Sequence, residues 1–366
     1  MTAQLTCATV LRCPLCRQAL ILPESIGAAA DVESVICNGC NREYLRYCGI
    51  LDLRTTVVPS CWTEARAVEE AELVNQMLAV FHTASLAELI DLYMQAHRLP
   101  APLLEGDREY MQQAQTRESW SLKYMEFCTT RYLGARLHGR SALEAGCGSG
   151  GMLPHLAERF DQVTGVDTDL PALIIAAKRC ADHGIADRVT LIAAMLEQPV
   201  FADSAFDLIK CTDVIEHVAD PQRACVCMAA ALKAGGALFM LTPNKWSLWS
   251  PEPHVRLWGV QFLPARLADA YVEWRIGIPY RHVARLLSYR TFMRMLAGCG
   301  PVGVVFVPLE DKYLNPASRR GARLKQVFGR APLSWLSRCA RPMQPTLEAL
   351  CIKREMASQK IEAAGA

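Results

Sequence analysis

The chain has 366 residues, of which 51% are hydrophobic and 21% are charged, and its formal net charge is +2. This composition excludes an intrinsically disordered chain and predicts a packed core, with enough length for one large domain and a small one, or for two domains. The near-neutral charge argues neither for nor against a nucleic-acid partner.

The N-terminal residues and the cysteines predict a cytoplasmic protein. Residues 1–6 carry no basic segment and no long apolar core, so a secretory signal peptide is not expected. No apolar run is long enough to span a bilayer. The sixteen cysteines are scattered without the pattern of a disulfide scaffold, and we therefore expect reduced thiols.

Two matched cysteine pairs lie in the first segment, residues 1–56. Cys13 and Cys16 are followed, after twenty residues, by Cys37 and Cys40. Four thiolates in a C-x2-C-x20-C-x2-C pattern predict a closed tetrahedral Zn²⁺ site, which is structural rather than catalytic. The alternative is four buried cysteines without a metal. We interpret residues 1–56 as a zinc ribbon whose folding depends on the ion.

Residues 57–138 have the periodicity of helices and are interpreted as a helical connector that caps the following domain. The predicted helices are Glu64–Val80, Leu86–Tyr93 and Trp120–Leu133. Pro100, Pro102 and Gly106 are expected to interrupt the helical pattern. Residues 61–119 contain ten Asp/Glu against four Lys/Arg, which indicates a solvated acidic face.

Strands and helices alternate from residue 139, which predicts an α/β domain over 139–353 with a parallel sheet and helices on both faces. The predicted strands are Ser141–Ala145, Gln162–Asp167, Arg188–Ala193, Phe206–Cys211, Ala237–Leu241, Val302–Pro308 and Leu347–Lys353. The predicted helices are Gly151–Phe160, Leu170–His183, Pro221–Lys233 and Ser288–Gly298.

Two insertions break this alternation, and a tail of residues 354–366 follows the domain. Residues 244–287 hold four of the seven tryptophans, namely Trp246, Trp249, Trp258 and Trp274. These aromatic residues are interpreted either as a lid over an acceptor or as packing between the insertion and the sheet. Residues 309–344 form a basic insertion.

The segment 143–150 has the pattern E-x-G-x-G-x-G between a predicted strand and a predicted helix. Glycines at Gly146, Gly148 and Gly150 allow positive φ and close approach of the backbone to a ligand. Glu144 precedes the first glycine, where a carboxylate would repel a pyrophosphate. The turn therefore favours a ligand with a positive centre, such as S-adenosylmethionine, over a dinucleotide.

With this turn, the chain resembles the class I S-adenosylmethionine-dependent methyltransferases. The segments that carry the resemblance are 144–150, 163–167, 206–209, 213–218, 231–238 and 241–244. The resemblance implies a Rossmann-like sheet of seven strands and methyl transfer from S-adenosylmethionine. No catalytic metal cluster of His, Asp and Glu is apparent in the sequence, which predicts metal-independent transfer. Residues 1–56 resemble the zinc ribbons of some methyltransferases, including one that modifies ribosomal RNA.

The resemblance also implies a set of cofactor-binding residues. They are Glu144, Gly146, Cys147, Gly148, Gly150, Asp167, Thr168, Met195, Leu196 and Cys211. Asp167 is expected to accept hydrogen bonds from both ribose hydroxyls, and the alternative is a helix cap, for which Asp169 is better placed. In residues 193–197 no acid lies at the position where the family often places one near adenine, so Met195 or Leu196 is expected to pack on the ring.

Two histidines are the candidate catalytic residues. His217 follows the fourth predicted strand on the cofactor side, and His254 lies in the aromatic insertion. Either could remove a proton from the acceptor. The alternatives are that His217 supports its loop by hydrogen bonding and that His254 is a surface residue.

The expected acceptor is a small molecule, with O- or C-methylation favoured. One alternative is an RNA base methyltransferase that binds RNA through the ribbon and through residues 312–341, which contain eight Lys/Arg and no Asp/Glu. Another is a membrane-associated enzyme with a lipid or quinone acceptor, whose residues 312–341 contact the membrane surface. The sequence does not predict an oligomeric state.

Overall fold

A computed structural model describes most of the chain. The described residues are 10–21, 33–55, 64–96, 101–134, 136–248, 250–277, 280, 284–300, 302–305 and 341–354. Trp249, most of the basic insertion 309–344, and all but the first residue of the predicted tail 354–366 lie outside the described residues. The predictions for residues 312–340 and for the end of the strand Val302–Pro308 therefore lie outside them too.

The N-terminal unit forms a three-stranded antiparallel meander. Its strands are β1 (Glu33–Ile36), β2 (Glu43–Tyr47) and β3 (Ile50–Asp52). The two-residue turn between β2 and β3 is formed by Cys48 and Gly49, both with positive φ, which matches the twist of a tight hairpin. The meander is bound to the rest of the protein, because β3 pairs in parallel with a strand of the main sheet.

Four helices follow the meander. They are α1 (Glu64–Val80), α2 (Leu86–Gln95), α3 (Ala101–Gln112) and α4 (Ala114–Leu133). Ser85 and Glu88 form a reciprocal capping box at the start of α2. The expected interruption near Pro102 and Gly106 is wrong, because α3 runs through both residues. Pro102 occupies the first turn of α3, where its missing N–H removes no helical hydrogen bond.

The remaining elements form a mixed sheet with helices on both faces. The strands are β4 (Gly139–Ala145), β5 (Phe160–Asp167), β6 (Val189–Ala193), β7 (Phe206–Thr212), β8 (Leu232–Pro243), β9 (Val302–Val305) and β10 (Thr346–Lys353). The helices are α5 (Leu153–Ala157), α6 (Leu170–Asp182), α7 (Pro221–Ala231), α8 (Ala265–Ile276) and α9 (Tyr289–Ala297). The strand–helix alternation is confirmed for these described elements.

The strand order is β1-β2-β3-β6-β5-β4-β7-β8-β10-β9. Strands from β3 to β8 run parallel across the sheet centre, whereas β10 is antiparallel to both of its neighbours. Seven strands of the described residues, β4–β10, lie in the predicted domain 139–353, but the sheet to which they belong contains ten strands rather than seven. The difference arises because β1, β2 and β3 extend the sheet beyond β6.

Three predicted elements differ from the structure at their boundaries. The helix predicted to reach Lys233 ends at Ala231, because Leu232 already has an extended backbone and starts β8. Gly235 has φ +74° but lies within β8, next to an irregularity in its pairing with β7. Gly235 and Gly236, which the sequence predicts as the turn into the strand Ala237–Leu241, thus form a bulge instead. The helix predicted over 151–160 is shorter, and α5 covers only Leu153–Ala157.

The core has one layer on each face of the sheet. Ile50 packs with the connector helices and α6, whereas the next residue, Leu51, packs on the opposite face with Val166 and Ile192. The N-terminal unit therefore shares both core layers with the main sheet rather than forming a core of its own. No helix among the described residues is long and apolar enough to cross a membrane.

One cysteine pair corrects the expectation of reduced thiols. Cys225 in α7 and Cys299, just after α9, form a disulfide across 74 residues of sequence. Both lie in the core layer between these two helices and the sheet. The scattered sequence positions gave no sign that these two thiols meet.

Candidate functional site

The glycine turn closes tightly between β4 and α5. Gly146, Gly148 and Gly150 have φ values of +75°, +48° and +75°. A Cβ on Gly146 would collide with Val214, and a Cβ on Gly150 would lie 2.8 Å from the Cβ of Ala176. The predicted turn is therefore fixed against the loop after β7 on one side and α6 on the other.

Asp167, at the end of β5, faces this turn. One carboxylate oxygen accepts a hydrogen bond from the Gly148 amide at 2.8 Å, and the other accepts one from the Asp169 amide at 3.0 Å. Burial raises the pKa of Asp167 to about 6. Asp169 accepts a bond from the Ala172 amide and caps α6, so the cap role belongs to Asp169. Each Asp167 oxygen retains a lone pair, which fits the ribose-binding role.

Glu144 is buried beneath the turn. One of its oxygens accepts a hydrogen bond from Lys210 Nζ at 3.1 Å, and Lys210 also pairs with Glu118 of α4 at 3.2 Å. The other, Oε2, is buried and has no hydrogen-bond partner among the described residues. Burial raises the pKa of Glu144 to about 7. An unpaired buried acceptor at this position fits a ligand that carries hydrogen-bond donors or positive charge.

The other predicted cofactor residues differ in the solvent exposure of their side chains. Met195 is half-buried and Leu196 is buried after β6. Cys147 is 6% exposed and Cys211 is fully buried in the core at the end of β7. Glu197 accepts hydrogen bonds from the backbone amides of Ala219 and Asp220, just before α7.

Arg54 is a site-supporting residue that the sequence did not reveal. It follows β3, and its guanidinium binds Asp52 at 2.8 Å and Glu70 of α1 at 2.6 Å. The same guanidinium donates to the carbonyl of Thr168, next to Asp167, at 3.0 Å. The N-terminal unit thus holds the loop on which Asp167 is placed. No local pattern around Arg54 indicates this contact, which spans 114 residues.

The four predicted zinc ligands meet in the N-terminal unit. The Sγ atoms of Cys13 and Cys40 lie 3.6 Å apart, and those of Cys16 and Cys37 lie 3.5 Å apart. Tetrahedral Zn–S bonds of about 2.3 Å separate the sulfurs by roughly 3.8 Å, so the arrangement fits Zn²⁺. Burial acts to raise the pKa of Cys13, but hydrogen bonds from Tyr44 and from backbone amides lower it to about 6.

A second cluster contradicts the expectation that no group of His, Asp and Glu would be found. The loop after β7 supplies Glu216 and His217, and the aromatic insertion supplies His254. The Nε2 atoms of the two histidines lie 3.1 Å apart. Glu216 Oε1 lies 4.0 Å from His217 Nε2 and 3.8 Å from His254 Nε2. The two candidate catalytic histidines therefore lie at one place.

This second cluster is electrostatically unusual. Burial, followed by the charge of Asp213, raises the pKa of Glu216 to about 7. Burial acts to lower the pKa of His254, but its hydrogen bond to Glu252 and nearby carboxylate charges raise that pKa above its usual value. Val214, two residues before Glu216, contacts Gly146. The cluster therefore lies beside the glycine turn, at the carboxyl edge of the sheet.

The aromatic insertion lies mainly at the surface. Trp246 stacks on Phe262 with ring centroids 5.9 Å apart, and Trp246, Trp258 and Trp274 are all exposed. The insertion has a small core of its own, formed by Val255, Val260, Ala268 and Val272. These three tryptophans are thus not packed between the insertion and the sheet, which leaves the lid interpretation open.

Comparison with known proteins places this geometry among methyltransferases. Residues 143–240 match the family described as "Methyltransferase domain". The ubiquinone biosynthesis O-methyltransferase of Idiomarina loihiensis is 35% identical over 186 residues, which cover 49% of this chain and 70% of that protein. The protein of the same name from Coxiella burnetii is 36% identical over 126 residues, which cover 34% of this chain and 50% of that protein.

Solved structures are less similar to this chain. The geranyl diphosphate C-methyltransferase of Streptomyces coelicolor is 18% identical, with a TM-score of 0.42 over 67% of this chain and 84% of that one. Apart from the Idiomarina protein, this chain spans about half of the length of the relatives named as ubiquinone biosynthesis O-methyltransferases. The curated relatives do not favour the RNA alternative.

Proposed function

Because the chain belongs to the class I S-adenosylmethionine-dependent methyltransferases, we propose that it methylates a hydroxyl oxygen of a small organic acceptor. The observation that carries this proposal is the His217–His254–Glu216 cluster beside the glycine turn. A hydroxyl is a weak nucleophile until it loses its proton, and a cluster of basic side chains at the cofactor edge can accept that proton.

The cofactor side of the site is formed by Asp167 and the glycine turn. S-adenosylmethionine supplies a methyl group on a positively charged sulfur, which leaves as a neutral thioether. Asp167 would bind the ribose through the lone pairs that the amides of Gly148 and Asp169 leave free. The buried, unpaired oxygen of Glu144 would accept a donor from the methionine part. These residues orient the cofactor and do not take part in bond making.

The acceptor side is formed by the loop after β7 and the insertion. His217 is partly exposed, so an acceptor hydroxyl can reach its ring. Glu216 lies behind both rings and stabilises positive charge that develops on them. We infer a phenolic acceptor, because a phenol has a pKa near that of tyrosine, about 10, within reach of a histidine base. The stacked rings of Trp246 and Phe262 are suited to a flat apolar molecule.

The relatives support the reaction class. Two proteins at 35% and 36% identity are named as O-methyltransferases of ubiquinone biosynthesis. The family match covers residues 143–240, which include the turn and the loop after β7 and end before the insertion that supplies His254. The acceptor of this chain is therefore proposed from its own residues and the reaction class from its relatives.

The test uses the purified full chain and S-adenosylmethionine with a labelled methyl group. Matched acceptors would be an ortho-dihydroxyphenyl compound, its amino analogue and RNA. We expect label on the hydroxyl compound, recovered as a methyl ether, and a loss of turnover of roughly 10²-fold or more in His217→Gln. His138→Gln changes an exposed histidine before β4 and serves as the control. Label confined to the amine or to RNA would refute O-methylation.

A further inference from the structure

We propose that Glu216, His217 and His254 form a binding site for a divalent transition-metal ion, with Glu252 as the residue that positions His254. The three residues come from two distant parts of the chain, the loop after β7 and the aromatic insertion. This site is separate from the four-cysteine cluster of the N-terminal unit.

The distances between the donor atoms are close to those of a metal site. Glu216 Oε1, His217 Nε2 and His254 Nε2 form a triangle with sides of 3.1, 3.8 and 4.0 Å. Tetrahedral bonds of about 2.0–2.2 Å to nitrogen and oxygen would separate the donors by roughly 3.3–3.5 Å. Shifts of a few tenths of an ångström would therefore bring all three donors onto one ion.

Glu216 supplies the independent observation that a cation belongs here. Its side chain is fully buried, and Oε2 accepts a hydrogen bond from Thr242 Oγ1 at 2.9 Å. Oε1 is also buried but has no hydrogen-bond partner among the described residues, and it faces the two imidazoles. A buried carboxylate oxygen without a partner is costly, and a bound cation would satisfy it.

Glu252 prepares His254 to be a ligand. Its buried carboxylate accepts a hydrogen bond from His254 Nδ1 at 2.6 Å and another from the Val255 amide at 2.7 Å. With the proton held on Nδ1, the lone pair of Nε2 points to the centre of the cluster. A carboxylate that orients the far nitrogen of a ligating histidine is a common feature of metal sites.

The donor set indicates which ions would bind. Two imidazoles and one carboxylate favour Zn²⁺, Co²⁺ or Fe²⁺ over Mg²⁺ or Ca²⁺, which prefer oxygen ligands. The His217 side chain is 41% exposed, so a fourth position is open towards solvent. An ion there would hold the acceptor oxygen and make its hydroxyl more acidic. That role rests on the proposed O-methylation, whereas the binding of the ion does not.

The alternative occupant of the cluster is a proton. Two Nε2 atoms at 3.1 Å are also the geometry of an imidazole pair that shares one hydrogen bond. A shared proton requires no stoichiometric metal, whereas the proposed site requires one ion per chain in addition to that of the four cysteines.

The experiment is a Co²⁺ titration of the purified full chain after its four-cysteine site has been filled with Zn²⁺. We expect one further equivalent of Co²⁺ to bind, with visible ligand-field absorption and without the near-ultraviolet thiolate band of a cysteine site. His254→Gln and His217→Gln should each abolish this equivalent, and Glu252→Gln should weaken it roughly 10- to 100-fold. His138→Gln, an exposed histidine elsewhere, is the matched control.

S-adenosylmethionine binding is measured in every variant to show that each one is folded. Absence of a further equivalent in the parent chain would overturn the metal site and support the shared proton. Retention of the equivalent in both histidine variants would also overturn it. Neither result depends on methyl transfer, so failure of the metal site and failure of the proposed O-methylation can be told apart.

Discussion

Asp167 connects the backbone of the glycine turn with the expected position of the cofactor ribose. Its two oxygens already accept bonds from two backbone amides, which fixes the carboxylate plane before any ligand arrives. A ligand hydroxyl therefore meets an acceptor that needs no reorganisation, which is the condition for a strong charged hydrogen bond.

Replacement of Asp167 by Asn tests this role. We expect Asp167→Asn to weaken S-adenosylmethionine binding by about 10- to 100-fold, because a hydrogen bond to a charged group contributes about 1.5–3 kcal/mol and the amide retains only one acceptor oxygen. Calorimetric titration measures the affinity. Asp169→Asn is the control, since Asn caps a helix as well as Asp does, and α6 should remain intact. Equal affinities in the two variants would contradict the assignment.

The pKa of Asp167 also predicts a pH dependence of cofactor binding. Burial raises this pKa to about 6, and the ionised form is the one that accepts the ribose hydroxyls. Protonation removes an acceptor, so affinity should fall as the pH decreases from 7 to 5, by up to about tenfold one unit below the pKa. Glu144, with a pKa of about 7, titrates nearby.

Comparison with Asp167→Asn separates these contributions. The variant lacks the Asp167 carboxyl but retains Glu144 and every titrating group of the ligand. The parent chain should therefore lose more affinity between pH 7 and pH 5 than the variant does. Parallel pH profiles would show that Asp167 is not the group responsible.

At the scale of elements, β3 and the loop after β5 are joined by Arg54. The guanidinium is 6% exposed and lies between two carboxylates, Asp52 and Glu70, while it also donates to the Thr168 carbonyl. A planar group with five donors can hold these three partners at once, and a lysine ammonium cannot match that geometry. The N-terminal unit thereby contacts the loop that follows Asp167.

Arg54→Lys is expected to weaken S-adenosylmethionine binding by about 3- to 10-fold, since it retains the charge against both carboxylates but loses about 1 kcal/mol from the bond to Thr168. Zinc content should not change. Arg17→Lys is the matched control, because among the described residues the Arg17 side chain forms an exposed ion pair with Asp203 at 3.5 Å. An unchanged cofactor affinity in Arg54→Lys would show that the loop holds its position without this contact.

The sequence predicted those elements whose signals are local. The alternation from β4 to β8, the glycine turn and the cap at Asp169 all follow from short patterns. The pairing of β3 with β6 joins residues about 140 apart, and nothing within either strand specifies the partner. The bulge at Gly235 was missed because a glycine pair favours a turn equally well.

At the scale of the whole molecule, the sequence likewise predicted the parts of the candidate site that have local signals and missed the parts that depend on tertiary contacts. The spacing of the four cysteines is local within each pair and predicted a cluster that the fold brings together. The cluster of Glu216, His217 and His254 needed the insertion to fold back over the loop after β7, across 37 residues. Its histidines were both predicted as catalytic candidates, but their contact depends on tertiary structure alone.

The shared core predicts that a metal ion bound by the four cysteines of the N-terminal unit would stabilise the whole sheet. Leu11, Leu20 and Leu53 are fully buried and belong to the same core layer as Val166 and Ile192. If the four cysteines hold Zn²⁺, its loss would release the meander, expose this layer and leave β6 as an unprotected edge strand. Loss of the metal ion should therefore have a measurable effect on β6, which lies outside the N-terminal unit.

Cys40→Ser removes one proposed ligand at an exposed position, so the substitution itself disturbs little packing. We expect lower zinc content, a midpoint of thermal unfolding reduced on the order of 5 °C, and faster amide exchange in Val189–Ala193. Cys48→Ser, in the same unit but outside the cluster, is the control. If Cys40→Ser loses zinc while exchange in β6 stays slow, the ribbon is an independent unit. Faster exchange in β6 would show that the ribbon supports the sheet on which the cofactor site is built.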